Sequence, residues 1–250
     1  MLQSLRRPIV FAHRGASAHA PENTLAAFRL AREEGADAIE LDAKLSQDGQ
    51  VVVFHDPRLE RTTNGSGFVW EHSAEQLRAL DAGNHFSTAF RGERIPLLEE
   101  VFDAVGTPLY INVELTNYRT PHDRLVQTAC ELVGKKSLQG RVMFSSFLPS
   151  NLEEARRLLP NVPRGLLAKP GWRGAWARSF LFAFGDYAAL HLNVADANRQ
   201  EIQRVHRLGR RVHAWTVKNA EAMRQLAEWG VDGIITADPG LALRQLGRQG

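Results

Sequence analysis

The chain has 250 residues, of which 44% are hydrophobic, enough to fill the core of one large α/β domain or of two small ones. Its formal net charge is +3, and the basic residues are scattered along the chain instead of forming a run. This balance suits an anionic small molecule as the partner. It gives no support to nucleic-acid binding, because the chain has neither a basic block nor a nucleic-acid motif.

The single cysteine and the N-terminal residues bear on the compartment. Cys130 stands alone, so an intramolecular disulfide is excluded, and its apolar-periodic surroundings predict a buried helix residue. Residues 1–7 lack the apolar stretch of a signal peptide. No segment reaches the ~18 apolar residues that a membrane helix needs. We therefore expect a cytoplasmic protein without stable membrane insertion, which could still form a homo-oligomer.

Short apolar runs alternate with segments of helical period. In chain order we predict a strand at 8–12, a helix at 23–34, a strand at 38–45, a helix at 97–105, a strand at 108–115, a helix at 123–133, a strand at 141–147, a helix at 149–159, strands at 164–168 and 188–192, a helix at 197–208, a strand at 211–217, a helix at 220–228, a strand at 233–236 and a helix at 240–246. The Asp48-Gly49 turn predicts a hairpin-like run at residues 50–54. Residues 56–95 are rich in Gly, Asn, Thr and charge, and we interpret them as an insertion of loops with a short helix near 74–80.

Eight strands separated by helical segments indicate a parallel sheet with right-handed crossovers. Eight such units in about 250 residues are typical of a (β/α)8 barrel, the TIM barrel. The sequence shows no linker or composition shift, so we predict a single domain over residues 1–250. A doubly wound open sheet is the alternative fold.

Polar residues recur at the carboxyl ends of the predicted strands. They are His13, Arg14, Glu40, Asp42, Asn112, Glu114, Ser145, Ser146, Lys169, His191, Asn193, Trp215, Thr216, Thr236 and Asp238. In a barrel these ends meet at one face, where active sites are found. Polar strand ends are common in themselves, but carboxylates and histidines on so many strands favour a site.

The carboxylates suggest a metal. Glu40 and Asp42 are two residues apart on one strand, so both side chains point the same way. Two carboxylates in a barrel mouth repel each other unless a cation lies between them. Glu114 on the next strand supplies a third oxygen ligand, and three carboxylates suit a hard cation, Mg2+ or Ca2+. An isolated acidic pair fits a solvated strand face equally well, but the apolar flanking residues Ile39 and Leu41 favour the barrel interior.

Two histidines follow apolar runs, His13 after residues 9–12 and His55 after residues 51–54. Histidine is the natural acid/base group near neutral pH, and a pair can take one proton and give another. Arg14 offers a guanidinium for a phosphate; a surface salt bridge is its alternative role.

The ordered set of motifs resembles the glycerophosphodiester phosphodiesterase family over about residues 10–239. The motifs are His13-Arg14-Gly15, Pro21-Glu22-Asn23-Thr24, Glu40-Leu41-Asp42, Asp48-Gly49, His55-Asp56, Arg61-Thr62-Thr63-Asn64-Gly65, Leu80-Asp81-Ala82-Gly83, Arg94-Ile95-Pro96-Leu97-Leu98-Glu99-Glu100, Glu114, Ser145-Ser146-Phe147, Trp215-Thr216-Val217 and Asp232-Gly233-Ile234-Ile235-Thr236-Ala237-Asp238-Pro239. No single motif would be decisive, but the set in this order is specific.

The resemblance implies a (β/α)8 barrel with a small insertion near residues 56–95, and the hydrolysis of a small-molecule phosphodiester to glycerol 3-phosphate and an alcohol. It also implies the site residues: one divalent metal ion, Mg2+ or Ca2+, on Glu40, Asp42 and Glu114, the acid/base pair His13 and His55, and Arg14 on the phosphate. The nucleophile is water or the glycerol 2-hydroxyl through a cyclic phosphate; the sequence leaves both open.

One departure from the family pattern matters. Similar proteins often have Lys two residues after the third-strand Glu, where this chain has Thr116. We predict that Lys169, at the end of the fifth strand, takes over that phosphate contact; a solvent-facing loop residue is the alternative. Trp215 is either a wall of the substrate pocket or a large side chain plugging the barrel. Asn23 is a candidate helix cap.

Two other functions compete with this prediction. The segment 170–187 holds aromatic residues beside Arg173 and Arg178, which would suit a lysophospholipase D-type enzyme acting on lipids. We prefer to interpret it as an amphipathic barrel helix with its apolar face in the core. A non-catalytic phosphate-binding barrel is disfavoured, because binding alone needs neither the histidine pair nor the carboxylate trio.

Overall fold

The computed structural model describes residues 5–248. Within them the strands are β1 (Ile9–His13), β2 (Ala38–Leu45), β3 (Val51–Val53), β4 (Tyr110–Leu115), β5 (Val142–Ser146), β6 (Arg164–Ala168), β7 (Ala189–Asn193), β8 (Arg211–Trp215) and β9 (Gly233–Thr236). β1 pairs in parallel with both β2 and β9, which closes a ring of parallel strands, while β3 pairs antiparallel with β2 outside the ring. The predicted (β/α)8 barrel is confirmed. A doubly wound open sheet is ruled out because its edge strands would stay unpaired.

Helices follow the barrel strands and cover their outer faces, and one short helix lies in the insertion near residues 56–95. They are α1 (Leu25–Glu33), α2 (Ala74–Arg78), α3 (Leu98–Val105), α4 (Leu125–Lys135), α5 (Pro149–Leu158), α6 (Trp172–Trp176), α7 (Phe182–Phe184), α8 (Arg199–Arg207), α9 (Ala220–Glu228) and α10 (Pro239–Gln245). Predicted element ends differ from the observed ones by at most about two residues, the usual uncertainty of helix and strand termini. Cys130 on α4 is free and buried, as predicted.

Side-chain alternation along the strands separates the core into an outer shell and an inner filling. In β2, Ile39 and Leu41 belong to the apolar cluster beneath the helices. Ala38 on the same strand faces inward and joins the inner cluster. Glu40 and Asp42 share the inward direction of Ala38, since successive side chains of a strand point to opposite faces. The hydrophobic outer face therefore forces the two carboxylates into the barrel interior.

The insertion between β3 and α3 is ordered. It contains α2, capped by Ser73, and the 3-10 turns Val69–Glu71 and Thr88–Phe90. It has its own apolar cluster, which is continuous with β3: Val52, Phe54, Leu59, Val69, Leu77, Ala82 and Ile95. The insertion thus holds in place the short stretch of chain after β3 that includes His55.

Two buried histidines fill the barrel below its carboxyl end. His191 on β7 and His213 on β8 are wholly buried, and their ring nitrogens Nε2 and Nδ1 lie 3.2 Å apart. Burial lowers the pKa of His191 to about 3 and that of His213 well below its usual value, so both rings are neutral at physiological pH. Room for them comes from Gly165 and Gly233, where an added Cβ would lie 2.3 Å from His191 Nε2 and 2.8 Å from His213 Cδ2.

The segment from Trp172 to Phe184 differs from the prediction. It is helical throughout, with a π-helical stretch at Ala177–Leu181 between α6 and α7. Only Phe182 of its aromatic residues is buried, packing with Ala177 and Leu181 against the core. The remaining four are exposed: Trp172 (84%), Trp176 (63%), Phe180 (58%) and Phe184 (78%). The interpretation of the aromatic residues as a core face is therefore wrong for these four, because the helix has a second, outward apolar face.

Among residues 5–248, no helix is both long and apolar enough to cross a bilayer. The cytoplasmic location and the oligomeric state stay predictions.

Gly165→Ala tests the packing of the histidine layer. The new methyl group would meet the ring of His191, which is enclosed and cannot move aside. We expect the free energy of unfolding to fall by about 1–3 kcal/mol, the usual cost of overpacking a core. The measurement is urea unfolding at equilibrium. Gly134→Ala is the matched control: it lies within α4 with no atom within 4 Å of the added Cβ, so it should be neutral or stabilising. Equal stability of both variants would contradict the packing argument.

Candidate active site

The predicted site residues meet at the carboxyl end of the barrel. One cavity there is lined by His13, Arg14, Glu40, Asp42, His55, Asn112, Glu114, Phe147, Leu167, His191, Trp215 and Ile235. It contains every residue to which the sequence assigned a metal-binding, acid/base or substrate-binding role except Lys169, which is exposed on the chain after β6. Since the cavity lies where the active sites of such barrels are found, it is the candidate active site.

Three carboxylates form its base. Asp42 and Glu114 are register partners on adjacent strands, and one oxygen each from Glu40, Asp42 and Glu114 lies within 4.8 Å of the others. Burial and the neighbouring carboxylates raise the pKa of Glu40 well above its usual range, and burial and Asp42 raise the pKa of Glu114 to about 8. Burial would also raise the pKa of Asp42, but the charges of Arg14 and His55 and a hydrogen bond from Asn23 lower it to about 2.

These pKa values describe a cluster that repels itself. At neutral pH the protein alone keeps Asp42 ionised and favours protons on Glu40 and Glu114, because three buried anions in one place are costly. A divalent cation removes that conflict by replacing the protons. The donor set is purely oxygen, which fits Mg2+ or Ca2+, and among the described residues no histidine or cysteine joins it as a zinc site would require.

Neighbouring side chains hold the three carboxylates in place. Asn23 Nδ2 donates to Asp42 Oδ2 at 2.9 Å, and Tyr118 Oη donates to Glu114 Oε1 at 2.7 Å. The backbone N–H of Arg14 donates to Glu40 Oε2 at 3.1 Å. Asn23 was a candidate cap from the sequence, but the structure gives that role to Thr24, whose hydroxyl accepts from Ala27 N. Asn23 instead orients a carboxylate of the cluster.

The two histidines lie beside this cluster. His13 Nε2 is 3.9 Å from Glu40 Oε2, and burial together with the charge on Arg14 lowers the pKa of His13 to about 4, so its ring is neutral at pH 7. His55 Nδ1 contacts Asp56 Oδ1 at 2.6 Å. This contact fixes the ring of His55 and leaves its Nε2 available to the cavity.

A chain of alternating charges connects the two sides of the cavity. Arg14 Nη1 donates to Glu22 Oε1 at 2.9 Å, and both oxygens of Glu22 accept from Arg61. Arg61 also donates to Asp56, which holds His55. Glu22, Asp56 and Arg61 were not assigned roles from the sequence beyond their motifs. In the sequence these three residues are only charged residues in two separate loops. The folded structure brings the two loops together.

Lys44 is a further site residue that sequence analysis missed. It follows Asp42 by two residues on β2, so it also points into the barrel, and its Nζ donates to Thr116 Oγ1 at 2.7 Å and Thr116 O at 3.2 Å. Burial lowers the pKa of Lys44, an effect that the nearby Asp42 and Glu114 oppose. A cation therefore lies beside Thr116, although it comes from the neighbouring strand. Lys169 lies after the end of β6 and lines neither this cavity nor the one beside it.

A second cavity of about 230 Å3 adjoins the first and shares His55, Glu114 and Phe147 with it. Its walls are mainly apolar and include Trp70 from the insertion and Tyr118 from the loop after β4. Trp215 also lines the first cavity. Its Nε1 donates to His191 O at 2.9 Å, and its ring packs edge-on against Phe147. Trp215 thus lines the cavity and also packs against the apolar cluster inside the barrel, so both positions expected from the sequence apply to it.

Comparison with known proteins gives a consistent result. Residues 13–241 match the model of the glycerophosphoryl diester phosphodiesterase family. A glycerophosphodiester phosphodiesterase of Caldanaerobacter subterraneus subsp. tengcongensis is 36% identical, over 93% of this chain and 95% of its own. One from Bacillus subtilis is 33% identical, over 96% of this chain and 87% of its own.

A solved structure is similar as well. It is an Oleispira antarctica phosphodiesterase in complex with the product sn-glycerol-3-phosphate, with a TM-score of 0.87 and 30% identity, covering 96% of this chain and 97% of that one. Family model, relatives and fold extend over nearly the whole chain and include the cavity described above. The chain belongs to the glycerophosphoryl diester phosphodiesterase family.

Proposed function

We propose that this protein hydrolyses glycerophosphodiesters to glycerol 3-phosphate and an alcohol. The observation that carries the proposal is the cavity in which three converging carboxylates, two histidines and Arg14 meet. The family relationship and the similarity to a phosphodiesterase solved with sn-glycerol-3-phosphate support this substrate class. A non-catalytic phosphate-binding barrel would need neither the histidines nor the carboxylates.

Glu40, Asp42 and Glu114 would hold one divalent cation, Mg2+ or Ca2+. Bound there, such an ion supplies positive charge that polarises a phosphoryl oxygen. Arg14 adds a second positive group: Glu22 and Asp42 hold its guanidinium, and its remaining N–H groups are free to bind a phosphate oxygen. Because Glu22 and Asp42 already hold the guanidinium of Arg14, charge that develops on the phosphoryl oxygens would meet a preorganised positive group.

The two histidines carry the proton transfers. Hydrolysis forms a bond from phosphorus to the incoming hydroxyl oxygen and breaks the bond to the alcohol oxygen. One histidine accepts the proton of the incoming hydroxyl group, and the other donates a proton to the leaving alkoxide. Asp56 holds the ring of His55 in one orientation, and Glu40 lies beside His13.

The adjoining cavity would receive the variable alcohol of the substrate. It lies next to His55, which would exchange a proton with the alcohol oxygen bound on that side. Because its walls are mainly apolar, they would accept different alcohol substituents without requiring a fixed pattern of hydrogen bonds. The same apolar character supports the lysophospholipase D-type alternative, in which the alcohol carries a lipid chain. Release of glycerol 3-phosphate from short-chain and lipid-bearing glycerophosphodiesters, compared at equal concentration, distinguishes the two substrate ranges.

Activity should require a divalent cation, because the three carboxylates repel one another without one. We expect exhaustive chelation to abolish release of glycerol 3-phosphate, and added Mg2+ or Ca2+ to restore it. Asp42→Asn should remain inactive when metal is returned. Full turnover in the chelated enzyme would remove the metal from the mechanism.

His13→Ala and His55→Ala should each lower kcat by roughly 10²-fold or more, the usual contribution of a general acid or base. Circular dichroism and thermal unfolding serve to check that each variant is folded. His72→Ala is the control, since His72 belongs to the insertion and hydrogen-bonds Phe68 O away from the cavity. A folded, nearly fully active variant would make that histidine structural.

Lys44 and Lys169 are the two candidate sources of positive charge near Thr116, and substituting each of them distinguishes the candidates. We propose that Lys44 provides positive charge near the phosphate, since its buried ammonium group donates to Thr116 and lies close enough to Asp42 and Glu114 to interact with their charges, although the residue lines the adjoining cavity. Lys44→Met should lower kcat/KM by about one to two powers of ten, as expected for a lost charged contact. Lys169→Met should change it by less than about twofold, because Lys169 lines neither cavity. The reverse ranking would restore the role first predicted for Lys169.

A further inference from the structure

An exposed row of aromatic side chains runs along the outer face of the helix between β6 and β7. It consists of Trp172, Trp176, Phe180 and Phe184, which we call the aromatic row, and each member is more than half exposed. The rings of Trp176, Phe180 and Phe184 lie in contact, with centroids 6.2 Å apart for Trp176 and Phe180 and 4.6 Å apart for Phe180 and Phe184, and Trp172 stands one helical turn before them. The exposed area is on the order of 500 Å2, at the upper end for the largest apolar patch of a monomer.

The helix geometry keeps the row straight. Residues spaced by four drift around an ordinary α-helix, because one turn takes 3.6 residues. The middle of this helix, Ala177–Leu181, is π-helical, and its wider turn counteracts the drift. On the inner side Phe182 and Leu181 anchor the same helix to the core. The helix therefore has two apolar faces, and only the inner one is used by the fold.

The charge around the aromatic row is positive. Each carboxylate in or beside the helix is paired with an arginine: Asp186 with Arg164 at 3.0 Å, Asp196 with Arg178 at 3.0 Å, and Glu201 with Arg204 at 2.6 Å. Within the described part of the chain, Lys169 and Arg173 at the Trp172 end of the row have no carboxylate partner, whereas Arg210 donates to Phe182 O and lies over the ring of Phe182 on the inner side. Arg173 lies over the ring of Trp172 at 5.7 Å, so cation and aromatic ring are presented together.

We propose that the aromatic row is a docking surface for an anionic lipid bilayer. Tryptophan and phenylalanine beside unpaired cations form the composition that inserts into the headgroup region of a membrane, where rings enter the acyl boundary and cations meet lipid phosphates. A second copy of this chain fits less well, because a two-fold contact would bring the same unpaired cations against each other.

The aromatic row lies near the candidate active site, so docking on a membrane would bring that site close to the lipid surface. The linker Lys169–Gly171 joins the carboxyl end of β6 to the helix, and Gly171 N donates to Asp196 Oδ2 at 3.0 Å on the loop after β7. The Trp172 end of the row is therefore at the catalytic end of the barrel. A protein resting on this face holds the rim of its active site close to the membrane surface without a helix that crosses it.

Vesicle sedimentation tests the proposal. The probes are vesicles of phosphatidylcholine alone and vesicles containing about 30% phosphatidylglycerol, each at low and high salt. The wild-type protein should sediment with the anionic vesicles and bind them less at high salt. Trp172→Ala, Trp176→Ala and Phe180→Ala together should weaken binding by roughly tenfold or more, and Arg173→Glu should weaken it at low salt only. Phe86→Ala, an exposed aromatic in the insertion, is the matched control and should bind like the wild type.

The readouts separate this proposal from the catalytic one. Circular dichroism establishes that the variants are folded, and hydrolysis of a water-soluble glycerophosphodiester should be unchanged in all of them. No binding of the wild type to anionic vesicles, or equal binding by the triple variant, overturns the proposal. Light scattering after size-exclusion chromatography tests the alternative occupant, a second copy of this chain. If the wild type is a dimer and the triple variant is a monomer, the row is a dimer interface and the proposal is overturned.

Discussion

The mutual repulsion of three buried carboxylates is the constraint around which this protein is arranged. Glu40, Asp42 and Glu114 face one another in the mouth of the barrel, where each would prefer a proton or a cation to an uncompensated charge. Asn23 and Tyr118 donate hydrogen bonds to the cluster, and Arg14 and Lys44 bring positive charge to it. Such an arrangement costs stability in the absence of a ligand, which is the usual sign of a site built for function.

The charged chain from Arg14 to His55 extends that arrangement across the cavity. Glu22 and Arg61 belong to loops and contribute little to the hydrophobic core, yet they connect the guanidinium of Arg14, which we propose binds the phosphate, to the carboxylate that holds the ring of His55. Paired charges of this kind are rigid only when every partner is present. The ordered insertion supplies two of these partners, so its apolar cluster supports the geometry of the site as well as its own fold.

Much of the fold and of the site could be predicted from the sequence because both depend on the alternation of inward-facing and outward-facing side chains along the strands. The period of two along β2 determines that Glu40 and Asp42 point inward together with Ala38. By the same rule Lys44, two residues after Asp42 on β2, points inward as well, so the cation beside Thr116 comes from β2 and Lys169 is not needed for it. β6 ends at Ala168, and the chain then turns at Gly171 with a positive φ of 64°, so alternation no longer predicts where Lys169 points.

Features that depend on contacts between loops distant in the chain could not be predicted from the sequence. Arg61 connects Asp56 to Glu22, and this contact exists only because the fold brings the start of the insertion beside the loop after β1. The aromatic row was misinterpreted for a different reason: an apolar face predicts burial, but one helix can carry two such faces, and sequence periodicity does not say which of them the barrel covers. Only the contacts of Phe182 and Leu181 with the core distinguish the inner face from the outer one.

The central claim is that Glu40, Asp42 and Glu114 bind one cation together. Diffraction from crystals soaked in Mn2+, a metal with similar oxygen preference and a strong anomalous signal, tests it most directly. The account predicts one anomalous peak in contact with an oxygen of each carboxylate, and its loss in Asp42→Asn. A peak elsewhere, or three carboxylates that stay close together without any ion at saturating Mn2+, would contradict it.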